Sequence, residues 1–351
     1  MLIHFWQLPN RGNNCIILKE KYKQRMVDLL LQICRTKSQI AKNVGISRRT
    51  YTKLAKETKP KIRFTTIFSI SKFLVINGYN EFNLNKIESN IIWIGGAPGK
   101  GIINPKLPFN IATREGARFL SAIHGDGCIT TGSKKGNKYS YGALVYTNKE
   151  YTLQQSIIED AISIFGGNKD MATISGIHVF FPSLLRDAAE IVIKSKGSKS
   201  ENNPSIPSFI FEEKELMCGW IEQVIADEGQ IRYYPKQYER AIVWRRSIDV
   251  TDVFKKFQNK NITRDLIKKI GQIKKCNLIE DEKKILKMLG ISCVLKPISI
   301  YFTKKGKVKL EWEIRIGGKE NLKKLRKLIK IPHKAKDRKF TKLLSTYRNS
   351  L

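Results

Sequence analysis

The chain has 351 residues, with 65 Lys and Arg against 31 Asp and Glu and a formal net charge of +34. That length suits two or three domains, and 41% hydrophobic residues is ample for globular cores. The positive excess points to a polyanionic partner; a Lys-rich thermal adaptation would bring a matching rise in Glu, which is absent. Cys15, Cys34, Cys128, Cys218, Cys276 and Cys293 form no CxxC pair, and His4, His124, His178 and His333 are scattered. This argues against zinc and Ser-His-Asp chemistry and for reduced thiols. With no secretory segment and no apolar run long enough for a membrane, the expected setting is a prokaryotic cytosol or an organelle matrix.

Residues 1–85 form the first unit. Within it Ser38 to Leu54 reads as helix, tight turn, helix. Ser38 is placed to cap the first helix, Ile40, Ala41 and Val44 face inward, Gly45 makes the turn, Ile46 plugs the core and Ser47 caps the second helix. Thr65 to Tyr79 supplies a further helix, so the unit is expected to be all-α. Residues 86–109 read as a connector rich in Asn, Gly and Pro. Its Gly95-Gly96-Ala97-Pro98-Gly99-Lys100-Gly101 falls short of a phosphate loop: the spacing is one residue short, Gly101 stands where Ser or Thr would hold magnesium, and Pro98 lacks a backbone donor.

From residue 110 the pattern runs helix, two strands, helix, two strands, helix, as far as 195. The Ser-, Asn-, Lys- and Pro-rich stretch 196–210 reads as a linker, and the pattern restarts over 211–351. The clearest hairpin joins Val294–Phe302 to Val308–Ile316 through Lys304-Lys305-Gly306-Lys307. The expected fold is therefore α+β, with two pseudo-symmetric αββαββα repeats, each giving four strands to one curved antiparallel sheet, behind the helical N-terminal unit.

Each repeat opens on an apolar helix that ends in an acid and a glycine: Phe119 to Gly127, with Asp126, and Ile221 to Gly229, with Glu228. Paired copies at equal register suggest an internal duplication. Each Gly stops its helix, so each acid sits at the unfavourable negative end of the helix dipole, where a divalent cation is the natural counter-charge. Ala117, Ser121 and Gly125 make one small-residue stripe on the first helix, and Gly219 and Ala226 do part of that work on the second, so the two helices are expected to pack closely and in parallel. Gln223 interrupts the second stripe.

Phe119–Gly127 and Ile221–Gly229 resemble the two motifs of LAGLIDADG homing endonucleases in their single-chain, two-repeat form, and the Ser38–Leu54 segment resembles the helix-turn-helix of phage-repressor-type DNA-binding domains. The second motif departs more, with Glu222 and Gln223 in place of small residues and Ala226 where an acid is common. The resemblance covers about residues 108–347. It implies a monomeric, metal-dependent endonuclease that makes a staggered double-strand cut in a long asymmetric duplex, with Asp126 and Glu228 catalytic, one for each strand. The metal site would comprise Asp126, Glu228, Gly125 and Asp227 and take Mg2+, with Mn2+ as a substitute.

Expected DNA contacts are Arg48, Arg49 and Lys53 on the recognition helix, Lys134, Lys135 and Lys138 on the first sheet, and Arg232, Lys236, Arg240, Arg245 and Arg246 on the second, where mostly basic strands would lie along a major groove. Lys138, Arg232 and Lys304 are candidate cations for the transition state. Two other readings share the surface: a DNA-binding transcription regulator that keeps the fold without cutting, and an intron maturase that holds structured RNA. The terminal residues, Met1 and Arg348 to Leu351, carry no splicing junction, which argues against an intein.

Overall fold

The structure, a computed structural model, describes residues 1–9, 14–96, 100–130, 133–135, 138–140, 142–193, 197–234, 239–257 and 261–347. Of 133–135 and 138–140 only the backbone pairing is described. It is a mixed α+β chain with small four-stranded antiparallel sheets and about 15 helices.

The N-terminal part runs β1 (Leu2–Ile3), β2 (Asn14–Leu18), α1 (Glu20–Cys34), α2 (Lys37–Val44), α3 (Arg48–Lys56), β3 (Ile62–Arg63), α4 (Phe64–Ile76), α5 (Leu84–Glu88), β4 (Ile91–Gly96), β5 (Gly101–Ile103) and β6 (Phe109–Asn110). The expectation of an all-α unit is corrected here: β3, β2, β4 and β5 form an antiparallel sheet in that order. The β-branched runs Ile16-Ile17 and Ile91-Ile92 favour pleated backbone. The segment 86–109 expected as a connector supplies β4, β5 and β6, and β6 pairs with β1.

Helices α2 and α3 are joined by a tight turn. Gly45 adopts φ +74, the left-handed conformation that ends a helix at little cost for glycine. Ser47 then caps α3, its hydroxyl accepting from the Thr50 amide at 3.0 Å, while Ile46 is buried between them. Thr36, rather than Ser38, caps α2, accepting from the Gln39 amide at 3.2 Å.

Downstream come α6 (Arg114–His124), β7 (Gly127–Ile129), β8 (Ser133–Lys135), β9 (Lys138–Ser140), β10 (Leu144–Thr147), α7 (Tyr151–Phe165), β11 (Thr173–Ser175), β12 (His178–Phe181), α8 (Ser183–Ile193) and α9 (Lys199–Asn202). They are followed by α10 (Lys214–Asp227), β13 (Gln230–Tyr234), β14 (Glu239–Asp249), α11 (Thr251–Lys255), α12 (Arg264–Ile273), α13 (Asn277–Met288), β15 (Val294–Phe302), β16 (Val308–Gly317), α14 (Lys319–Leu328) and α15 (Lys334–Ser345). The first sheet runs β7-β10-β12-β11 and the second β13-β14-β16-β15. In both, the strands stand in the order first, second, fourth, third.

Helices α6 and α10 pack against each other at the centre. The small residues set how closely. The Ser121 hydroxyl donates to the Trp220 carbonyl at 3.0 Å. A Cβ at Gly219 would meet the Arg114 carbonyl oxygen at 2.4 Å, and one at Gly125 would meet Asp227 Oδ2 at 2.9 Å. Ala117 and Ala226 are fully buried. Where the second motif carries Glu222, the opposite helix carries Arg114 and Arg118. Glu222 accepts from Arg114 at 2.6 and 3.1 Å and from Arg118 at 3.3 Å, and it also takes the Lys330 amide at 2.8 Å. The larger side chain is thus tolerated as a buried ion pair across the helix interface. Around the helices, large apolar side chains such as Phe119, Leu120, Trp220 and Ile221 are buried, each worth about 1.5–3 kcal/mol.

Candidate active site

The C-terminal ends of α6 and α10 carry Asp126, Asp227 and Glu228. Both ends are tight: a Cβ at Gly127 would meet Ile123 Cα at 2.6 Å, and one at Gly229 would meet Ile225 Cα at 2.7 Å. The glycines are required because the chain folds back on its own last turn. The carboxylates lie close enough to feel one another. Burial, and then the charge of Glu228, raises the Asp126 carboxyl above its usual range. Burial, and then Asp126, pushes Asp227 up to about 7.

Each acid has a distinct partner set. Asp126 Oδ2 accepts from Asn148 Nδ2 at 2.7 Å. Asp227 Oδ1 accepts from the Tyr146 hydroxyl at 2.6 Å and from Gln223 Nε2 at 2.9 Å, while its Oδ2 is buried against Gly125 with no hydrogen-bond partner among the described residues. Gln223, which interrupted the small-residue stripe, therefore holds an acid in place. Glu228 Oε1 accepts from Arg246 at 3.0 Å. Arg246 in turn donates to Glu282 of α13 at 3.0 and 3.2 Å, and Glu282 also takes the Trp244 indole N–H at 2.7 Å.

Lysines close the two helix ends, and sequence reasoning missed both. Lys199 Nζ donates to the Gly125 carbonyl. Lys336 Nζ donates to the Ala226 and Asp227 carbonyls at 2.7 and 3.0 Å, with Ile225 at 3.3 Å. Cations there oppose the negative end of each helix dipole and satisfy its last carbonyls. Lys199 lies in the stretch expected as a linker, and Lys336 in the basic tail where no helix was expected. Lys199 opens α9 and Lys336 lies in the first turn of α15, the helices that follow α8 and α14, and this shared place after the second pair of strands is the signal that position alone offered. Burial lowers both ammonium groups, Lys199 to about 8. His124 is buried against Trp220 and pushed down to about 3 by burial, so it is neutral.

The residues expected to touch DNA are placed unevenly. Arg48, Arg49 and Lys53 are exposed on α3. The side chains of Lys134, Lys135 and Lys138, and all of Lys236, lie outside the described residues. On the second sheet the mostly basic face expected from the sequence is corrected to a mixed one. Arg232 pairs with Glu239 and Glu313, each at 3.5 Å, Arg245 pairs with Glu311 at 3.3 Å and Glu313 at 3.1 Å, and Arg315 pairs with Glu239 at 2.6 Å. The antiparallel register sets Glu313 of β16 directly across from Arg245 of β14, with Glu311 two residues along, opposite Ser247.

Arg246 is the clearest correction. It is 8% exposed, on the opposite side of β14 from Arg245, because neighbouring residues of a strand face opposite ways. Arg240 shares that inner side: it donates to Thr346 at 2.9 Å and stacks on Tyr347, which pins the C-terminal helix. Lys304 is exposed in the turn between β15 and β16. On the first sheet, among the described residues, one open row is Cys128, Val145, Phe180 and Thr173, which is uncharged.

As a metal site the arrangement is sparse. Among the described residues no group of three or more His, Cys, Asp or Glu side chains is set to hold a metal ion. Magnesium, however, uses one or two carboxylates and fills its shell with water and substrate phosphate. Among the described residues Asp126 has a neutral amide as its only hydrogen-bonding side chain and Asp227 Oδ2 is unpartnered, which suits that mode. The Gly125 and Asp227 carbonyls are engaged by the two lysines. Among the described residues no helix is long and apolar enough to cross a membrane. No protein-family model matches the chain, and no curated protein sequence matches it.

Proposed function

We propose that the chain is a divalent-metal-dependent DNA endonuclease of the LAGLIDADG type, acting as a monomer, with a helix-turn-helix unit that adds DNA affinity. One observation carries this reading: Asp126, Asp227 and Glu228 converge at the adjoining C-terminal ends of α6 and α10. The shared strand order of the two sheets supports it, since two αββαββα copies would produce that order. The finer architecture, two pseudo-symmetric repeats whose sheets straddle duplex DNA, belongs to the same proposal.

In this reading Asp126 and Asp227 would hold Mg2+, which when bound supplies a polarised phosphate and a more acidic water. Asn148 orients Asp126. Tyr146 and Gln223 fix Asp227 so that its free oxygen faces Gly125. Lys199 and Lys336, which bond the carbonyls at the two helix ends, would be the cations nearest the negative charge that grows on the phosphate, in partly desolvated surroundings where such charges act strongly. Water oxygen bonds to phosphorus, one bridging P–O bond breaks, and the proton lost by the water ends on the leaving oxygen. Arg48, Arg49 and Lys53 would bind phosphates or base edges beside α3.

A non-cutting DNA-binding regulator is the second reading. It is favoured by the internal cations Lys199, Arg246 and Lys336, which already bond groups around the acids. The test is to incubate the full chain with a randomised duplex library in Mg2+ and in EDTA, and to sequence both bound and cut molecules. Cutting that needs Mg2+ and disappears in Asp126→Asn, with binding retained, supports the nuclease. Binding without cutting in either buffer selects the regulator, and neither binding nor cutting sinks both.

A further inference from the structure

The halves of the site are matched in one respect and opposed in another. Each has a lysine on the carbonyl that precedes its acid: Lys199 on Gly125, Lys336 on Asp227. They differ in what holds the acid itself. In the first half Gly127 pairs with Tyr146 across β7 and β10. In the second, extending the register of β13 and β14 by one residue sets Gly229 opposite Trp244. Two residues beyond the aromatic stand Asn148 and Arg246. Asn148 donates to Asp126 at 2.7 Å, and Arg246 donates to Glu228 at 3.0 Å. Equivalent positions thus give one acid a neutral amide and the other a guanidinium.

The guanidinium is fixed. It is buried, it stays charged at any working pH, and it is shared with Glu282, which is 0% exposed and further tied by the Trp244 indole. A dication at Glu228 would sit within a few ångströms of that charge with little water between to screen it. Among the described residues no side-chain cation is bonded to the Asp126 carboxylate, and the buried Oδ2 of Asp227, unpartnered among those residues, lies against Gly125 on the same helix end.

We infer that the half-sites are unequal: a divalent cation is accepted beside Asp126, whereas Arg246 already supplies the counter-charge of Glu228, so that the enzyme cuts one strand of its duplex and releases a nick. The inference rests on the nuclease reading. Arg246 is a positioning residue for Glu228, and the strand facing the first half is the one hydrolysed. The chemistry is the same balanced hydrolysis, carried out once per duplex.

The test counts ions before it counts cuts. Mn2+ binding to the full chain without DNA, read by electron paramagnetic resonance and calorimetry, should give one site per chain. Asp126→Asn should weaken that site by roughly tenfold or more, the scale of losing an essential partner at a metal, while Glu228→Gln should leave it unchanged. Arg246→Asn, which copies Asn148 into the second half, should add a second site; Arg246→Asn with Glu282→Gln does the same without stranding the buried Glu282 charge. On supercoiled plasmid carrying a selected site, the wild type in Mg2+ should accumulate open circles. Two equal Mn2+ sites with linear product would overturn the inference and leave the nuclease reading standing, as would a Glu228→Gln variant that loses its ion. No Mn2+ binding together with no cutting would overturn both.

Discussion

At the scale of single residues the site is governed by how little water reaches Asp227. Burial and the neighbouring carboxylates push its carboxyl up to about 7, against an ordinary 3.8. Between those values the folded chain keeps a proton that the unfolded chain has released, so folding stability falls as pH rises through this window and levels off above about 7. Each tenfold change in proton affinity is worth about 1.4 kcal/mol, so the loss is at most about 4 kcal/mol. Asp227→Asn removes the titration while keeping acceptors for Tyr146 and Gln223. Melting temperatures measured in EDTA at pH 5 and pH 8 should show the variant gaining on the wild type as pH rises. Parallel pH profiles for the two proteins would mean that the Asp227 carboxylate is already ionised and stabilised in the fold.

Among elements, the α6–α10 pair decides whether the acids meet at all. The Gly219 position faces the Arg114 carbonyl at 2.4 Å from where a Cβ would stand, and that backbone is anchored by the Glu222–Arg114 pairing, so it cannot readily give way. Gly219→Ala should cost about 1–3 kcal/mol, the range for overpacking a close-packed interface, read as a lower urea midpoint with an unchanged slope. An unchanged midpoint would show that the helices slide apart without penalty. This pair was legible in the sequence because small residues and terminal glycines leave a pattern along a single helix. So were the α2–α3 turn, through Gly45 and Ser47, and the hairpin of β15 and β16, through its β-branched runs and Lys-Gly-Lys turn. The N-terminal sheet was not, since Asn14–Leu18 and Ile91–Gly96 are distant in sequence and pair only once the chain folds. Lys199 and Lys336 were hidden for the same reason, and the fates of Arg245 and Arg246 turned on strand parity, which a slip of one residue reverses.

Across the whole molecule the question is where the +34 charge acts. The second sheet holds much of its arginine in reserve: Glu313 alone engages both Arg232 and Arg245, and Glu239 engages Arg232 and Arg315. A paired arginine contributes little to counterion release, because its carboxylate partner repels the phosphate that it attracts. Non-specific affinity for duplex DNA should therefore come from cations such as Arg48 and Arg49, which are exposed on α3. Binding of a random duplex, followed as the logarithm of affinity against the logarithm of salt concentration, separates the two populations. Arg48→Gln and Arg49→Gln should each flatten the slope by about 1 if each meets a phosphate. Glu313→Gln is nearly isosteric at a position only 5% exposed, and it removes one of the two carboxylates on each of Arg232 and Arg245, leaving Glu239 and Glu311 in place, without adding a cation. It should strengthen non-specific binding and steepen the slope by up to about 1, while weakening discrimination between sequences, because the two arginines, now less fully neutralised, bind any phosphate within reach. If the slope of Glu313→Gln matches the wild type, the open face of the second sheet does not lie along DNA, and duplex binding belongs to the N-terminal unit.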